Sequence, residues 1–97
     1  MLCHVVMFRW TPTTTVADVE AITSGLAGLP PAIAEIRSYR FGSDVAVNDG
    51  TFDFVVVAEF DTTDDYLVYR DHPLHRALIA DRIVPQIADR AAVQFQC

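Results

Sequence analysis

The residues best suited to acid–base chemistry in this 97-residue chain lie in one short segment. Tyr69 is followed by His72 and then by His75. An imidazole has an ordinary pKa of about 6.5, so it can take up a proton at neutral pH. A tyrosine hydroxyl can orient such a base or donate a hydrogen bond to a developing enolate. The segment allows a catalytic pair with His75 as general base and Tyr69 assisting it. In the alternative interpretation, His75 is a half-buried residue hydrogen-bonded to the backbone.

His72 has a simpler structural interpretation. It precedes Pro73, which favours extended backbone in the preceding residue, so the His72 side chain can cap the helix that Pro73 begins. A metal site could use His72 and His75 with either Asp71 or His4, because two histidines and a carboxylate suit Zn²⁺ or Fe²⁺. That spacing needs a continuous helix, which Pro73 interrupts. We therefore expect no metal and no cofactor.

Composition limits the classes of partner. Thirteen acidic residues against seven basic ones give a formal charge of −6, which disfavours nucleic acid and anionic membrane surfaces. No apolar run approaches the ~20 residues of a membrane span, and no basic segment precedes an apolar stretch at the N-terminus. Cys3 and Cys97 form no CxxC motif. These features predict a cytoplasmic protein with free thiols and a single domain over residues 1–97.

Hydrophobic periodicity predicts the order of strands and helices. Alternating apolar residues indicate strands, and apolar residues every three or four positions indicate helices. Pro30-Pro31 is expected to end the first helix, and Gly42 to close the second strand. Strands are predicted at 2–10, 34–41, 51–60 and 91–96, and helices at 16–29, from Thr62 to the break at 72–73, and from Pro73 to about Pro85.

The order β-α-β-β-α-β is that of an α+β, ferredoxin-like fold, with both helices on one face of a four-stranded antiparallel sheet. Strands one and three nevertheless place apolar side chains on the opposite face as well. These are Val5, Met7, Val55 and Val57. Leaving them in water would forfeit roughly 1.5–3 kcal/mol each. A second copy of the sheet is the simplest cover, so we predict a homodimer that forms a dimeric α+β barrel.

Residues of the other parity face the helices, and they would line an apolar cavity if the helices stand off the sheet. The predicted lining comprises His4, Val6, Phe8, Phe54, Val56 and, from the helix break, His72. A lone histidine on an apolar face is more often a satisfied core residue than a ligand-binding one. His4 remains a candidate because it is expected to point towards His75.

Four segments, taken together, carry a family signature. They are His4-Val5-Val6-Met7-Phe8, Gly42-x-Asp44-Val45, Phe54-Val55-Val56-Val57-Ala58-Glu59-Phe60 and Tyr69-x-x-His72-Pro73-x-His75. In this order they resemble the stress-responsive A/B barrel domain family, whose members are dimeric α+β barrels. The last segment is the most specific, and the similarity covers essentially the whole chain.

The resemblance implies the same fold and dimer and leaves two functions open. In one relative, the plant olivetolic acid cyclase, a tyrosine and a histidine that match Tyr69 and His75 carry out a cofactor-free aldol condensation. A pocket histidine of that enzyme is matched here by Phe54. The first hypothesis is a dimeric binding or stress-protective protein that holds a small hydrophobic molecule between sheet and helices. The second is a cofactor-independent cyclase or lyase that uses Tyr69 and His75.

Overall fold

Four strands form one antiparallel sheet, and the helices pack on one of its faces. The computed structural model describes residues 1–97. Its strands are β1 (Leu2–Trp10), β2 (Ser38–Ser43), β3 (Phe54–Phe60) and β4 (Ile87–Gln96), arranged in the order β2-β3-β1-β4. Its helices are α1 (Val16–Ala27), α2 (Leu29–Ala32), α3 (Thr63–Asp71) and α4 (Pro73–Leu78). The predicted ferredoxin-like α+β fold is confirmed.

Alternation along β1 and β3 gives the sheet an inner face, which the helices cover, and an outer face. Val6 pairs with Val56 on the inner face, where both are buried against α1 and the other helices. Val5 pairs with Val57 on the outer face, where both are only half-buried. The parity predicted for these strands is therefore confirmed.

Helix α1 begins where the sequence predicts and ends earlier. Thr15 and Asp18 form a reciprocal capping box: the Asp18 N–H donates to Oγ1 of Thr15 at 3.1 Å, and the Thr15 N–H donates to the Asp18 carboxylate at 2.9 Å. The helix ends at Ala27, and the expectation that Pro30-Pro31 stops it is wrong. The prolines lie inside the one-turn helix α2, because the first turn of a helix does not use the N–H groups that proline lacks.

Four strand boundaries also differ from the prediction. Strand β2 starts at Ser38, four residues later than predicted. Gly42 pairs with Val55 inside β2, rather than closing the strand. Strand β3 starts at Phe54, three residues later than predicted, and the preceding Asp53 donates its N–H to the Phe8 carbonyl of β1 at 2.9 Å. Strand β4 starts at Ile87, four residues earlier than predicted, and its pairing with β1 places Arg90 opposite Phe8. Pairing with β1 therefore determines the strand conformation of residues 87–90, whose own sequence shows no alternation of apolar and polar residues.

The last helical region is not one continuous α-helix. Helix α4 is followed by a π-helical turn (Ile79–Ile83) and a 3₁₀ turn (Val84–Gln86). Pro85 has no N–H to donate four residues back, so a regular helix cannot continue through it. Ile83 is buried in the core beneath this region. None of the helices is long and apolar enough to cross a membrane.

Candidate functional site

A cavity of about 690 Å³ lies between the inner face of the sheet and the helices. Its floor includes Val6, Phe8 and Val56, and its roof includes residues of α3, α4 and the π-helical turn. Thirteen of the eighteen lining residues are hydrophobic, and the other five are two histidines and three arginines. This volume and this lining are typical of sites that take small molecules, which measure ~300–1,000 Å³.

The junction of α3 and α4 places His75 over Tyr69. Helix α3 ends at Asp71, His72 has extended backbone, and α4 starts at Pro73. The chain therefore turns sharply, and the His75 ring packs on the Tyr69 ring with centroids 4.1 Å apart.

The backbone fixes the tautomer of His75. Its Nδ1 lies 3.0 Å from the carbonyl oxygen of Arg70. A carbonyl oxygen only accepts, so Nδ1 carries the hydrogen and Nε2 keeps its lone pair. Nε2 has no partner in the protein, and no buried side-chain nitrogen or oxygen lacks one, so Nε2 is open to the cavity or to solvent. Burial lowers the pKa of His75 below its ordinary 6.5, so the imidazole is neutral at pH 7.

Tyr69 is held by a second tyrosine. Its hydroxyl lies 2.8 Å from that of Tyr39 on β2, and both side chains line the cavity. Burial raises the pKa of Tyr39 to about 12 and that of Tyr69 further above its ordinary 10.0. Both hydroxyls therefore stay protonated. One hydrogen is used within the pair, which leaves the other available to a further acceptor. No hydrogen bond joins Tyr69 to His75.

His4 is the polar group of the cavity floor. It is 4% exposed, and its Nδ1 lies 2.7 Å from the side-chain oxygen of Gln94 on β4. With the amide oxygen as acceptor, Nδ1 of His4 donates and Nε2 is the free acceptor. Burial lowers the pKa of His4, and the Arg90 guanidinium lowers it further, so His4 is neutral at pH 7.

Most of the predicted site residues share this cavity. The structure brings together His4, Val6, Phe8, Val56, Tyr69 and His75. Phe54 and His72 lie outside its lining. Phe54 is buried at the far end of β3 and packs on Trp10, with ring centroids 5.6 Å apart. His72 accepts a hydrogen bond from the Leu74 N–H at 3.2 Å through Nδ1, so the capping prediction is confirmed.

Sequence reasoning missed Tyr39, Gln94 and Arg90. Tyr39 pairs with Ala58 across the sheet, which puts it on the inner face. Its parity could be read only once the register of β2 was known. Gln94 pairs with His4, and Arg90 belongs to the part of β4 that was not predicted as strand. Both residues face inward only because of the register that pairing with β1 imposes on β4.

The chain ends bring three possible metal ligands together elsewhere. Met1 and Cys97 pair through their backbones, so the side chains of Cys3, Glu59 and Cys97 offer ligand atoms within 4.8 Å of one another. Both cysteines are free, and the neighbouring Cys97 thiol raises the pKa of Cys3 to about 11. The histidines of the Tyr69–His75 segment take no part in this cluster.

Comparison with solved structures identifies close relatives of the fold. A dimeric ferredoxin-like protein of unknown function from Thermobifida fusca YX is 45% identical, with a TM-score of 0.92 over 99% of this chain and 90% of that chain. A dimeric ferredoxin-like protein from Bacteroides fragilis NCTC 9343 is 26% identical, with a TM-score of 0.84 over 99% and 95% of the two chains. The hydroxynitrile lyase from Passiflora edulis has a TM-score of 0.84 over 97% and 90%, and at 15% identity it shares the fold alone.

The comparison with protein families agrees with this fold. Residues 2–97 match the family model described as Stress responsive A/B Barrel Domain. No curated protein matches the chain.

Proposed function

The chain belongs to the stress-responsive A/B barrel domain family, and we propose that it works as a homodimer that binds a small hydrophobic molecule between its sheet and its helices. The observation that carries this proposal is the cavity of about 690 Å³ with its mainly apolar lining. A purely structural protein of this size gains nothing from leaving such a volume unfilled, because unfilled apolar volume forfeits dispersion contacts.

The dimer is proposed from the outer face of the sheet. Its four predicted interface residues form neighbouring pairs, Val5 with Val57 and Met7 with Val55, and all four are half-buried. The apolar surface continues onto β4, where Val93 and Phe95 are about half exposed. The 45%-identical Thermobifida fusca protein is described as dimeric, which supports the same assembly here.

Ligand binding can be tested with 2-naphthamide, a neutral aromatic probe, by isothermal titration calorimetry and by amide shifts in NMR spectra. We expect binding, with shifts concentrated at cavity residues such as Tyr69 and Ile83. Ala77→Phe places a large ring in the cavity lining and should weaken binding at least about tenfold, the effect of roughly 1.4 kcal/mol. Ala17→Phe is the matched control, since Ala17 is an exposed helical alanine outside the cavity. Equal binding by the two variants would contradict the proposal.

A second function, cofactor-free acid–base catalysis, is favoured by one specific observation. The Arg70 carbonyl holds His75 with Nδ1 protonated, so the neutral imidazole presents Nε2 as a base. In the proposed step, Nε2 takes a proton from the carbon next to a substrate carbonyl. The resulting enolate oxygen accepts a hydrogen bond from the Tyr39–Tyr69 hydroxyl pair. The enolate carbon then attacks a second carbonyl, and the imidazolium returns the proton to the new alkoxide.

Proton abstraction can be tested without the natural substrate. The protons next to the carbonyl of 2-tetralone exchange with D₂O, and NMR follows the loss of their signals. We expect the protein to accelerate this exchange and His75→Asn to remove about 10²-fold or more of the acceleration, the usual range for a general base. His72→Asn is the control, because asparagine also caps helices and His75 is untouched. Equal rates for wild type and His75→Asn would exclude His75 as the base.

A further inference from the structure

The charges of the cavity differ from those of the protein as a whole. The chain carries thirteen acidic and seven basic residues, and all of the basic ones are arginines. Three of those seven arginines, Arg70, Arg76 and Arg90, line the cavity, whereas no aspartate or glutamate does. In an acidic protein this local excess of positive charge favours an anionic ligand, because a cationic ligand would be repelled at the site.

The three arginines are not equally available. Arg70 donates two hydrogen bonds to Asp71, at 2.9 and 3.1 Å, and Arg76 lies 3.6 Å from the same carboxylate. The Arg90 side chain makes no ion pair and no hydrogen bond to the protein, and it is exposed. Arg90 is therefore a free guanidinium at the rim of an apolar cavity.

Strand pairing fixes the position of Arg90. It lies opposite Phe8 on the inner face, next to the floor of the cavity. The two histidines of the lining are neutral at pH 7, since burial lowers the pKa of each. Arg70 and Arg76 share the Asp71 carboxylate, so Arg90 is the one guanidinium of the lining without an ion pair. A guanidinium matches a carboxylate with two parallel hydrogen bonds, whereas a phosphate monoester, with nearly two charges, would need a second free cation.

We propose that the ligand is an organic monoanion, a molecule with an apolar body inside the cavity and a carboxylate bound by Arg90 at its rim. This inference rests on the proposed binding function and adds the chemical class of its ligand. The body would lie against the aromatic and aliphatic lining, and the carboxylate would stay at the exposed edge, where Arg90 needs little desolvation.

The test compares 2-naphthoate with 2-naphthamide at neutral pH, because the two probes share one ring system and differ in charge. Isothermal titration calorimetry should give about 3- to 10-fold tighter binding of 2-naphthoate, the effect of one accessible charge-assisted contact. Added salt should weaken the binding of 2-naphthoate and leave that of 2-naphthamide nearly unchanged.

Arg90→Gln should abolish the preference for 2-naphthoate while 2-naphthamide still binds. Arg82→Gln is the matched control: Arg82 is exposed, forms no ion pair and lies outside the cavity, and its loss changes the net charge equally. Equal affinity of the wild type for both probes, or a preference that persists in Arg90→Gln, would overturn the carboxylate inference and leave the binding function standing. Failure of both probes to bind would overturn the binding function itself.

Discussion

At the scale of single residues, three polar side chains of the cavity are each held by a partner within the protein. His75 is fixed by a backbone carbonyl, His4 by Gln94, and Tyr69 by Tyr39. A site whose polar groups are already oriented loses little conformational entropy when it binds a ligand. The guanidinium of Arg90 at the rim has no such partner, and it is the charged group left for an external one.

The tyrosine pair gives a prediction about stability. Tyr39→Phe or Tyr69→Phe alone leaves one buried hydroxyl without its partner and should cost about 1–3 kcal/mol in the free energy of unfolding. The double variant removes both polar groups and should cost less than the sum of the single costs. Urea unfolding of all three proteins measures this coupling. Tyr66→Phe is the control, because the Tyr66 hydroxyl has no hydrogen-bond partner in the protein. Strictly additive costs would contradict the prediction.

The lowered pKa values of the two cavity histidines predict how the stability of the protein depends on pH. Burial lowers the pKa of His4 and of His75 below the ordinary 6.5, so the unfolded chain binds more protons than the folded protein in that window. The free energy of unfolding should therefore decrease as the pH falls below 6.5, with the loss complete below the folded pKa values. Thermal unfolding at fixed protein concentration detects the change, since 1 kcal/mol corresponds to about 4–8 °C in Tm. His75→Asn should reduce the slope, and an unchanged slope would contradict the assignment.

At the scale of elements, the corner between α3 and α4 explains the most specific sequence segment. His72 ends one helix with extended backbone and caps the next, and Pro73 supplies the first residue of α4. This corner places the His75 ring against the Tyr69 ring. His72 and Pro73 therefore position the site and do not line the cavity.

The cap can be tested by substitution. His72→Ala removes the acceptor of the Leu74 N–H and should lower the free energy of unfolding by about 0.5–2 kcal/mol, whereas His72→Asn should restore most of it. Chemical denaturation of the three proteins gives both values. An alanine variant as stable as wild type, or an asparagine variant no better than alanine, would show that the cap contributes nothing.

The elements also show how far sequence could predict this protein. One parity of β1 and β3 is apolar or aromatic almost throughout, and the other carries the charged Arg9 and Glu59, so the inner face, the fold and most of the cavity floor could be predicted from the sequence. The start of β4 could not, because Ile87 to Arg90 becomes a strand only through pairing with β1. The partners Tyr39 and Gln94 depend on register, and the cavity volume depends on how far the helices stand from the sheet. These are properties of tertiary packing.

At the scale of the whole molecule, one protomer is a thin two-layer body. It measures 17 Å along its shortest axis, and only 15 of its 97 residues are buried. A sheet covered on one face alone leaves the outer-face valines at the surface. A dimer would cover them and add to a core that is small for the chain length.

Disrupting the outer face should separate the protomers. Val57→Asp puts a carboxylate at the centre of the proposed interface, where an unpaired buried charge is strongly unfavourable. Sedimentation should show a 10.8 kDa species for this variant and twice that mass for wild type at micromolar concentration. Val47→Asp is the control, since Val47 is 76% exposed in the β2–β3 loop. Circular dichroism checks that both variants fold. A wild-type monomer, or a Val57→Asp dimer, would contradict the assembly.

The π-helical turn that closes the cavity has an evolutionary consequence. A π-helical turn corresponds to an α-helix with one residue inserted, and each residue of a helix advances it by about 100°. Removing one residue, such as Ala80, would let this turn close as an α-helix while the chain that follows keeps its orientation. Gain or loss of a single codon here would resize the ligand space without altering Tyr69 or His75. Homologues of slightly different length at this point are therefore expected to accommodate molecules of different size.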